Sequence, residues 1–431
     1  MVTMKVSEVF DGILENLKVD NKTAIAARRD EIAKSLNKEF RALAGSTDYT
    51  RMAGSFGRGT AIRGISDLDM LYILPASIRD DYKSESGPAR ILARIRKAVL
   101  TRYSSTDIKV DKCVTVVQFK NFKFEIQPVF ENNDQSFDYP DTYAKNWKTT
   151  KPRREITAIR TADDHTRGNL RNLCKIARAW KNAHGVAIGG LLIDTLAYNF
   201  FRSTANYNAA TTEKYDRMVR DFFKFLSEEE DHEHYGALGS GQRVKVKKRF
   251  QGKAKRAYER CLDAIDTEGK STMDKNWKAI FGKPAPSSKT VEHAREVYSY
   301  VNTEEFIEDA YPIDVRYDLI IDCRVTQNGF RPASLRTMLR EQKPLRSHKS
   351  LDFSIETCDA PEPYFVKWKV LNRGAEAERR DEIRGQIIAP NRRRGRHEDT
   401  QFRGNHYVEC YIVKDGVVVA RDRIVVPIKP E

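Results

Sequence analysis

The residues best suited to chemistry lie between Arg51 and Pro75, in RMAGSFGRGTAIRGISDLDMLYILP. Gly54 and Ser55 read as part of a turn, where glycine lets the backbone approach a ligand, and free N–H groups beside one hydroxyl can receive a phosphate. Asp67 and Asp69 follow on a segment that reads as a strand. At i and i+2 they share one face, while Leu68 and Met70 take the other. The apolar run LYIL continues that strand into a core. A phosphate-receiving turn followed by two convergent carboxylates describes a metal–triphosphate site, because Mg2+ is a hard cation that takes oxygen ligands. A third acid, Glu125, lies in FKFEIQPV, whose alternation sets Phe122, Phe124 and Ile126 on one face and Lys123, Glu125 and Gln127 on the other. A carboxylate there is costly to bury unless a cation meets it. Alone, Glu125 reads as a surface residue; beside the aspartate pair it completes a two-ion clamp, provided the two strands are neighbours. Lys175 and Arg178 share one face of the helical stretch 170–182, positioned to hold a triphosphate tail from the opposite side.

These groups need a scaffold. Val6, Phe10, Ile13, Leu14 and Leu17 recur at helical spacing, and so do Ile25, Ile32, Leu36, Phe40 and Leu43, with Asn21 or Thr23 as the cap of the second helix. Both helices are expected to form a spine behind the catalytic sheet. Beyond the aspartates come a polar loop at 77–88, a helix at 89–103, and strands at 108–110, 114–119 and 122–129. Pro128 suits an edge or a strand end. Residues 138–154, rich in aromatics, Pro and Lys, read as a long irregular loop. Helices at 170–182, 188–201, 215–226 and 249–265 make a helical half. His232 and His234 lie in an acidic loop there, without metal-site spacing or a third ligand. Residues 268–311 read as an exit segment, with Pro284 and Pro286 marking a linker. Strands at 318–326, 364–371, 406–413 and 417–426 follow, the last two joined by the hairpin turn Lys414-Asp415-Gly416. A small β-sandwich from Tyr311 onward is the simplest arrangement, and it shows no acid–base or nucleophile constellation.

At 431 residues the chain exceeds one compact core and suggests two or three domains. Its apolar fraction of 40% suffices for buried cores, but no run approaches the length of a membrane span, and the N-terminus lacks a signal peptide's apolar region. The 6 cysteines stand singly with no CxxC, as expected for reduced thiols in a cytoplasmic protein. The net charge of +15, part of it in KVKKR, RRRGR and KPRR, calls for a polyanionic partner: nucleoside triphosphates, nucleic acid or an acidic protein.

The ordered combination GSFGRGTAI-x4-DLD, with an acid on a later strand, resembles the polymerase-beta-like nucleotidyltransferase superfamily. With EIQPVF, NWKTTKP and KIARAWKN, residues 5–300 are similar to the bacterial cyclic-oligonucleotide synthases, relatives of cyclic GMP-AMP synthase and oligoadenylate synthase that act in anti-phage signalling. The tail, with KWKVLNRGAEA, IRGQI and GNHYVECYIVKDGVVVARD, is similar to the C-terminal sensor domain often fused to such enzymes. The resemblance implies an α+β fold: a bilobed nucleotidyltransferase with a mixed-sheet lobe (1–155), a helical lobe (156–310) and a β-sandwich domain (311–431). It implies Mg2+-dependent joining of NTPs, ATP and/or GTP among them, into a cyclic product with release of pyrophosphate. Asp67, Asp69 and Glu125 would hold two Mg2+ ions (or Mn2+), Gly54 and Ser55 would contact phosphates, and Lys175 and Arg178 match the helix's basic positions. A cyclic-nucleotide-responsive effector and a regulatory partner at the C-terminal domain are also implied; nucleic acid is compatible with the charge but not required. The third acid of such enzymes is commonly Asp, whereas here it is the longer Glu125. Two other readings compete: a nucleotidyltransferase that extends RNA or modifies a protein, and a nucleotide sensor on a retired catalytic fold. Retention of Gly54, Ser55, Asp67 and Asp69 argues against the second.

Overall fold

A computed structural model of the chain describes residues 4–287, 303–326 and 331–429. Seven strands form the first sheet: β1 (Thr50–Met52), β2 (Asp67–Ile73), β3 (Ile108–Asp111), β4 (Val114–Gln118), β5 (Lys123–Glu131), β6 (Phe137–Asp141) and β7 (Asn146–Thr150). Their order is β1-β2-β5-β4-β3, with β6 paired to β5 and β7 to β6. β2 and β5 run parallel and the other pairs antiparallel. Alternation decides which face is dry. Leu68, Met70, Tyr72, Phe124 and Ile126 are buried against Ile25, Ile32 and Leu36 of the helix Lys22–Arg41 and Ile91 and Ile95 of the helix Gly87–Leu100. Each such side chain stabilises the lobe by about 1.5–3 kcal/mol. The opposite face is left for the acids.

In chain order the helices of this half are α1 (Val6–Asn16), α2 (Lys22–Arg41), α3 (Gly54–Arg58) and α4 (Gly87–Leu100). Only α2 acts as the expected spine. α1 turns its stripe to the helical half, where Phe10 meets Tyr215 and Trp277 edge-on with ring centroids 5.9 and 4.9 Å away. Its spacing told which face is buried, not against what. Asn21 takes the N-cap position of α2, yet its side chain makes no capping bond. Residues 138–154 are not an irregular loop: β6 and β7 form a hairpin, with Asp141 accepting from the amides of Tyr143 and Ala144 at 3.0 and 3.1 Å and pairing with Lys148 at 2.7 Å. Pro128 lies inside β5, not at its end, and is tolerated because β4 stops opposite Ile126.

The helical half comprises α5 (Pro152–His165), α6 (Asn169–His184), α7 (Gly190–Ser203), α8 (Tyr215–Glu228), α9 (Gln251–Ile265) and α10 (Met273–Phe281), with a short hairpin of β8 (His234–Gly236) and β9 (Arg243–Lys245) between α8 and α9. One core joins them around Trp180, Phe222, Phe223 and Trp277. The expected exit segment is therefore packed through α10, Ala285 between the two expected linker prolines joins the same core, and residues 288–302 lie outside the described residues.

Two four-stranded sheets close the chain, β11-β10-β12-β15 and β14-β13-β16-β17. Their strands are β10 (Leu319–Thr326), β11 (Ala333–Ser334), β12 (Ser350–Cys358), β13 (Phe365–Leu371), β14 (Arg384–Ile388), β15 (Arg396–Asp399), β16 (Gly404–Lys414) and β17 (Val417–Ile428). They face each other across Ile321, Phe353, Trp368, Cys410 and Val419, as in a sandwich. β14 and β15 carry too little apolar alternation to be read from sequence; Arg384 and Arg396 both pair with Glu398 instead, at 2.7 and 2.6 Å. The Asp415-Gly416 turn has φ of 50° and 75°, the doubly positive geometry of a two-residue hairpin. No helix among the described residues is long and apolar enough to cross a membrane.

The sandwich docks on the end of α6. Arg421 of β17, buried with Glu409 at 2.7 Å, donates to the carbonyl of Asn182 at 3.5 Å. Gly185 makes this approach feasible, since at φ 59° a Cβ there would sit 2.0 Å from the Arg421 carbonyl oxygen. Gly185→Ala should therefore destabilise the chain by about 2 kcal/mol or more in urea unfolding. Gly252→Ala, in α9 with nothing within 4 Å, should change stability by less than about 1 kcal/mol.

Candidate active site

Parallel pairing of β2 with β5 sets Asp67 opposite Lys123 and Asp69 opposite Glu125. With strands about 4.8 Å apart, the three carboxylates share one patch of the sheet's open face. That patch floors a cavity of about 620 Å³ between the sheet lobe, the helical half and the segment leading into the sandwich. Gly54, Ser55, Asp67, Asp69 and Glu125 all line it. The expected turn at Gly54-Ser55 is the first turn of α3, whose opening N–H groups have no preceding carbonyl to bond. Gly54 is required by contact: at φ 57°, a Cβ would stand 1.8 Å from Asp69 Oδ2. The carboxylate and the turn are thus in direct touch. The Ser55 carbonyl accepts from the amides of Thr60 and Ala61, at 2.9 and 3.1 Å, and closes the GRGT loop.

Electrostatics dominate this patch. The Asp69 carboxyl is pushed up to about 6, by burial first and then by the charges of Glu125 and Asp67. No ion pair reaches it among the described residues. Asp67 is also raised by burial, a rise that Arg316 and Lys123 only partly offset. Lys123 Nζ lies 2.7 Å from Glu125 Oε1 and 3.6 Å from Asp67 Oδ1. Burial works against the charge on Lys123, but Asp67 and Glu125 outweigh it and lift its pKa. Arg316, from the segment before β10, pairs with Asp67 Oδ2 at 2.6 Å. As the side chains stand, no group of three His, Cys, Asp or Glu is gathered about one point among the described residues; Asp67 and Glu125 pair with these two cations instead. In donor type and in crowded negative charge, the three acids fit divalent cations.

The basic helix face is arranged differently from expectation. Lys175 lies outside the cavity lining, and burial lowers its pKa. Arg178 reaches the cavity wall but is committed to Asp194, with Nη1 2.6 Å from Oδ1 and Nη2 donating to the Gly190 carbonyl at 2.9 Å. Helical spacing put both on one face without telling how deep that face lies. Asp194 is a hub: Arg58 Nε reaches Oδ2 at 2.8 Å, and Thr60 Oγ1 donates to the same oxygen at 3.0 Å. Burial opposes its charge, yet Arg178 and Arg58 hold its carboxyl below the usual range. The GRGT loop is thereby keyed to the helical half. Cationic reach not tied to a carboxylate among the described residues comes from Arg243, 3.1 Å from His234 Nδ1, and Lys247, exposed residues lining the cavity, the latter in KVKKR. Lys123 was legible as an i−2 neighbour of Glu125; Arg316 carried no local signal.

Residues 4–163 match the family model of the Second Messenger Oligonucleotide or Dinucleotide Synthetase domain, and residues 301–429 match that of the Adenylyl/Guanylyl and SMODS C-terminal sensor domain. The chain is a second-messenger nucleotidyltransferase with a C-terminal sensor domain. Among solved structures, E. coli MS115-1 CdnC in its complex with HORMA-deltaN is similar at 14% identity, over 65% of this chain and 98% of that one, with a TM-score of 0.48. Vibrio cholerae DncV cyclic AMP-GMP synthase with the linear intermediate pppA(3′,5′)pG is similar at 14% identity, over 66% and 88%, with a TM-score of 0.45. Rhodothermus marinus CdnE c-UMP-AMP synthase is similar at 13% identity, over 61% and 96%, with a TM-score of 0.44. No curated protein sequence matches the chain. The Arg316-bearing segment falls inside the sensor-domain match.

Two outcomes follow for this nucleotidyltransferase. Asp194→Ala leaves Arg178 buried without a counter-charge and Arg58 with Glu155 alone, 3.6 Å away, and should cost about 3–5 kcal/mol in urea unfolding. Asp69 acts in the opposite sense. Because its folded pKa of about 6 exceeds its ordinary 3.8, the metal-free fold holds a proton that the unfolded chain loses, and stability falls as pH rises between those values. Asp69→Asn should therefore be more stable than the wild type at pH 7.5 by about 1–3 kcal/mol, an advantage that vanishes toward pH 4 in EDTA-buffered melts.

Proposed function

We propose that this chain joins nucleoside triphosphates into a cyclic di- or oligonucleotide, releasing pyrophosphate, as an Mg2+-dependent synthase in anti-phage signalling. The observation that carries the reading is the register of β2 with β5, which places Glu125 beside Asp69 while Asp69 touches Gly54. Acids and phosphate turn thus meet in one cavity of about 620 Å³, within the range of nucleotide-sized sites. The longer Glu125 arm starts from a strand already next to the aspartates.

Asp67, Asp69 and Glu125 would hold the divalent ions. Bound Mg2+ supplies the positive charge that acidifies an attacking hydroxyl and neutralises a leaving pyrophosphate. The chain's own groups do the rest. Gly54 and Ser55 receive the donor's phosphates at the start of α3, and the Asp194 hub keeps that turn from shifting. Arg243 and Lys247 take the phosphate-tail role first expected of Lys175 and Arg178. The acceptor's hydroxyl oxygen bonds to the donor's α-phosphorus as the bond to the bridging oxygen breaks; pyrophosphate leaves with the electron pair, and the hydroxyl proton passes to the carboxylate patch. A second such transfer, between the ends of the linear product, closes the ring. The sensor domain offers the surface for a regulatory partner, and the cyclic product would act on a separate effector.

With all four NTPs and Mg2+ or Mn2+, mass spectrometry should find a phosphatase-resistant cyclic product together with pyrophosphate. Asp67→Asn combined with Asp69→Asn should reduce both by about 10³-fold or more. Pyrophosphate release that survives the double substitution contradicts the assignment of these acids. Label retained on RNA or protein instead favours a nucleotidyltransferase of another kind.

A further inference from the structure

Two of the three acids already meet a cation, and one of those cations comes from the sensor domain. Arg316 Nη2 lies 2.6 Å from Asp67 Oδ2 and donates to Ser66 Oγ at 3.2 Å, while its Nε donates to Asp314 Oδ2 at 2.8 Å. Asp314 is in turn held by Lys181 of α6 at 2.8 Å. The backbone between them is clamped on both sides. Asn182 donates to the carbonyl of Ile313 at 2.9 Å and accepts from the amide of Val315 at 3.3 Å. On the other side, the amides of Asp314 and Arg316 bond to the carbonyls of Val418 and Val419 in β17, at 3.0 and 2.8 Å. Val315 between them is fully buried. This short stretch thus runs between the helical half and the last strand of the sandwich, and it delivers one guanidinium onto an acid of the catalytic patch.

A guanidinium at hydrogen-bond distance takes up one lone-pair direction of a carboxylate oxygen and sets a positive charge beside any divalent ion that would bind there, and two cations crowded at one carboxylate repel each other. We infer that Arg316 is a displaceable counter-ion of the metal site: with the lead-in segment docked, the sensor domain holds Asp67 in a cation-satisfied, metal-free form, and metal loading requires Arg316 to withdraw. The inference rests on the reading of Asp67 as a metal ligand. Because the segment is hydrogen-bonded to β17, its withdrawal and the packing of the sandwich are coupled. Coupling of this kind is reciprocal: whatever shifts the sensor domain away from the docked arrangement tightens metal binding, and metal favours the shifted arrangement by the same factor. Lys123 differs in kind. It belongs to the sheet itself and cannot be removed by a domain movement.

The test uses the full chain and Mn2+ alone, with free Mn2+ followed by electron paramagnetic resonance and no nucleotide present. Arg316→Ala should bind Mn2+ about tenfold or more tightly than the wild type, whereas Arg316→Lys, which keeps a cation near Asp67, should stay within about threefold of it. Hydrogen exchange gives a second readout on the unmodified chain: saturating Mn2+ should remove protection from the amides of Asp314 and Arg316. Unchanged or weaker Mn2+ binding by an Arg316→Ala protein that melts like the wild type overturns the inference. If Arg316→Ala does not fold, the exchange experiment decides, and protection that persists at saturating Mn2+ overturns it. Asp67→Asn separates the two levels. Loss of Mn2+ binding in Asp67→Asn with no gain in Arg316→Ala fells the inference alone, whereas wild-type Mn2+ binding by Asp67→Asn fells the ligand reading beneath it.

Discussion

Three carboxylates held on neighbouring strands repel one another, and the backbone leaves them no retreat. The apolar faces of β2 and β5 bury Leu68, Met70, Phe124 and Ile126, so a shift of one residue in either strand would expose a core and turn the acids inward. Register is therefore set by hydrophobic packing on one face, and the charge problem appears on the other. The chain meets it in three ways at once: with Lys123 from the same strand, with Arg316 from the sensor domain, and with a carboxyl on Asp69 whose affinity for protons is raised. Each response balances charge until something more strongly cationic enters.

Ion pairing recurs wherever one part of the chain meets another. Asp194 binds the GRGT loop and α6 through Arg58 and Arg178, Lys181 binds Asp314, and Glu409 gathers Arg421 and Arg423 where the sandwich meets α6. Buried pairs contribute little net stability beyond what apolar residues would, but they penalise a wrong arrangement severely, since separation strands a charge. They suit junctions whose geometry must be definite. Near the cavity they also set which groups remain to face a substrate, and they remove Arg178 from that set.

How much could be read in advance follows the physics of each signal. The strand bearing Asp67 and Asp69, the alternation around Glu125, most helices and the Asp415-Gly416 hairpin were legible, because period and turn chemistry are local. The neighbourhood of β2 and β5, on which the patch depends, was only a condition in the sequence and became a fact in the fold. What failed was depth and partnership. Lys175 and Arg178 share a face at helical spacing, but spacing cannot say that one lies off the cavity and the other is consumed by an aspartate in α7. The hairpin of β6 and β7 was missed because Asp, Pro and Lys surround the alternating Phe137 and Tyr139, which pack against Ala53, Leu71 and Val129, and the polar strands β14 and β15 because side-chain pairing there stands in place of an apolar alternation. Arg316 illustrates the limit most clearly: some 250 residues of chain separate it from Ser66, and only tertiary structure brings them together.

The central claim is that these three acids form one cation site, guarded by a guanidinium from the sensor domain. Anomalous diffraction from crystals grown with Mn2+ and a non-hydrolysable nucleoside triphosphate tests it most directly. The account predicts anomalous peaks within coordination distance of Asp67, Asp69 and Glu125, about 2.0–2.2 Å from their oxygens, with Arg316 moved off Asp67. Manganese bound elsewhere, or bound at these acids with the Arg316–Asp67 pair still closed, would contradict it.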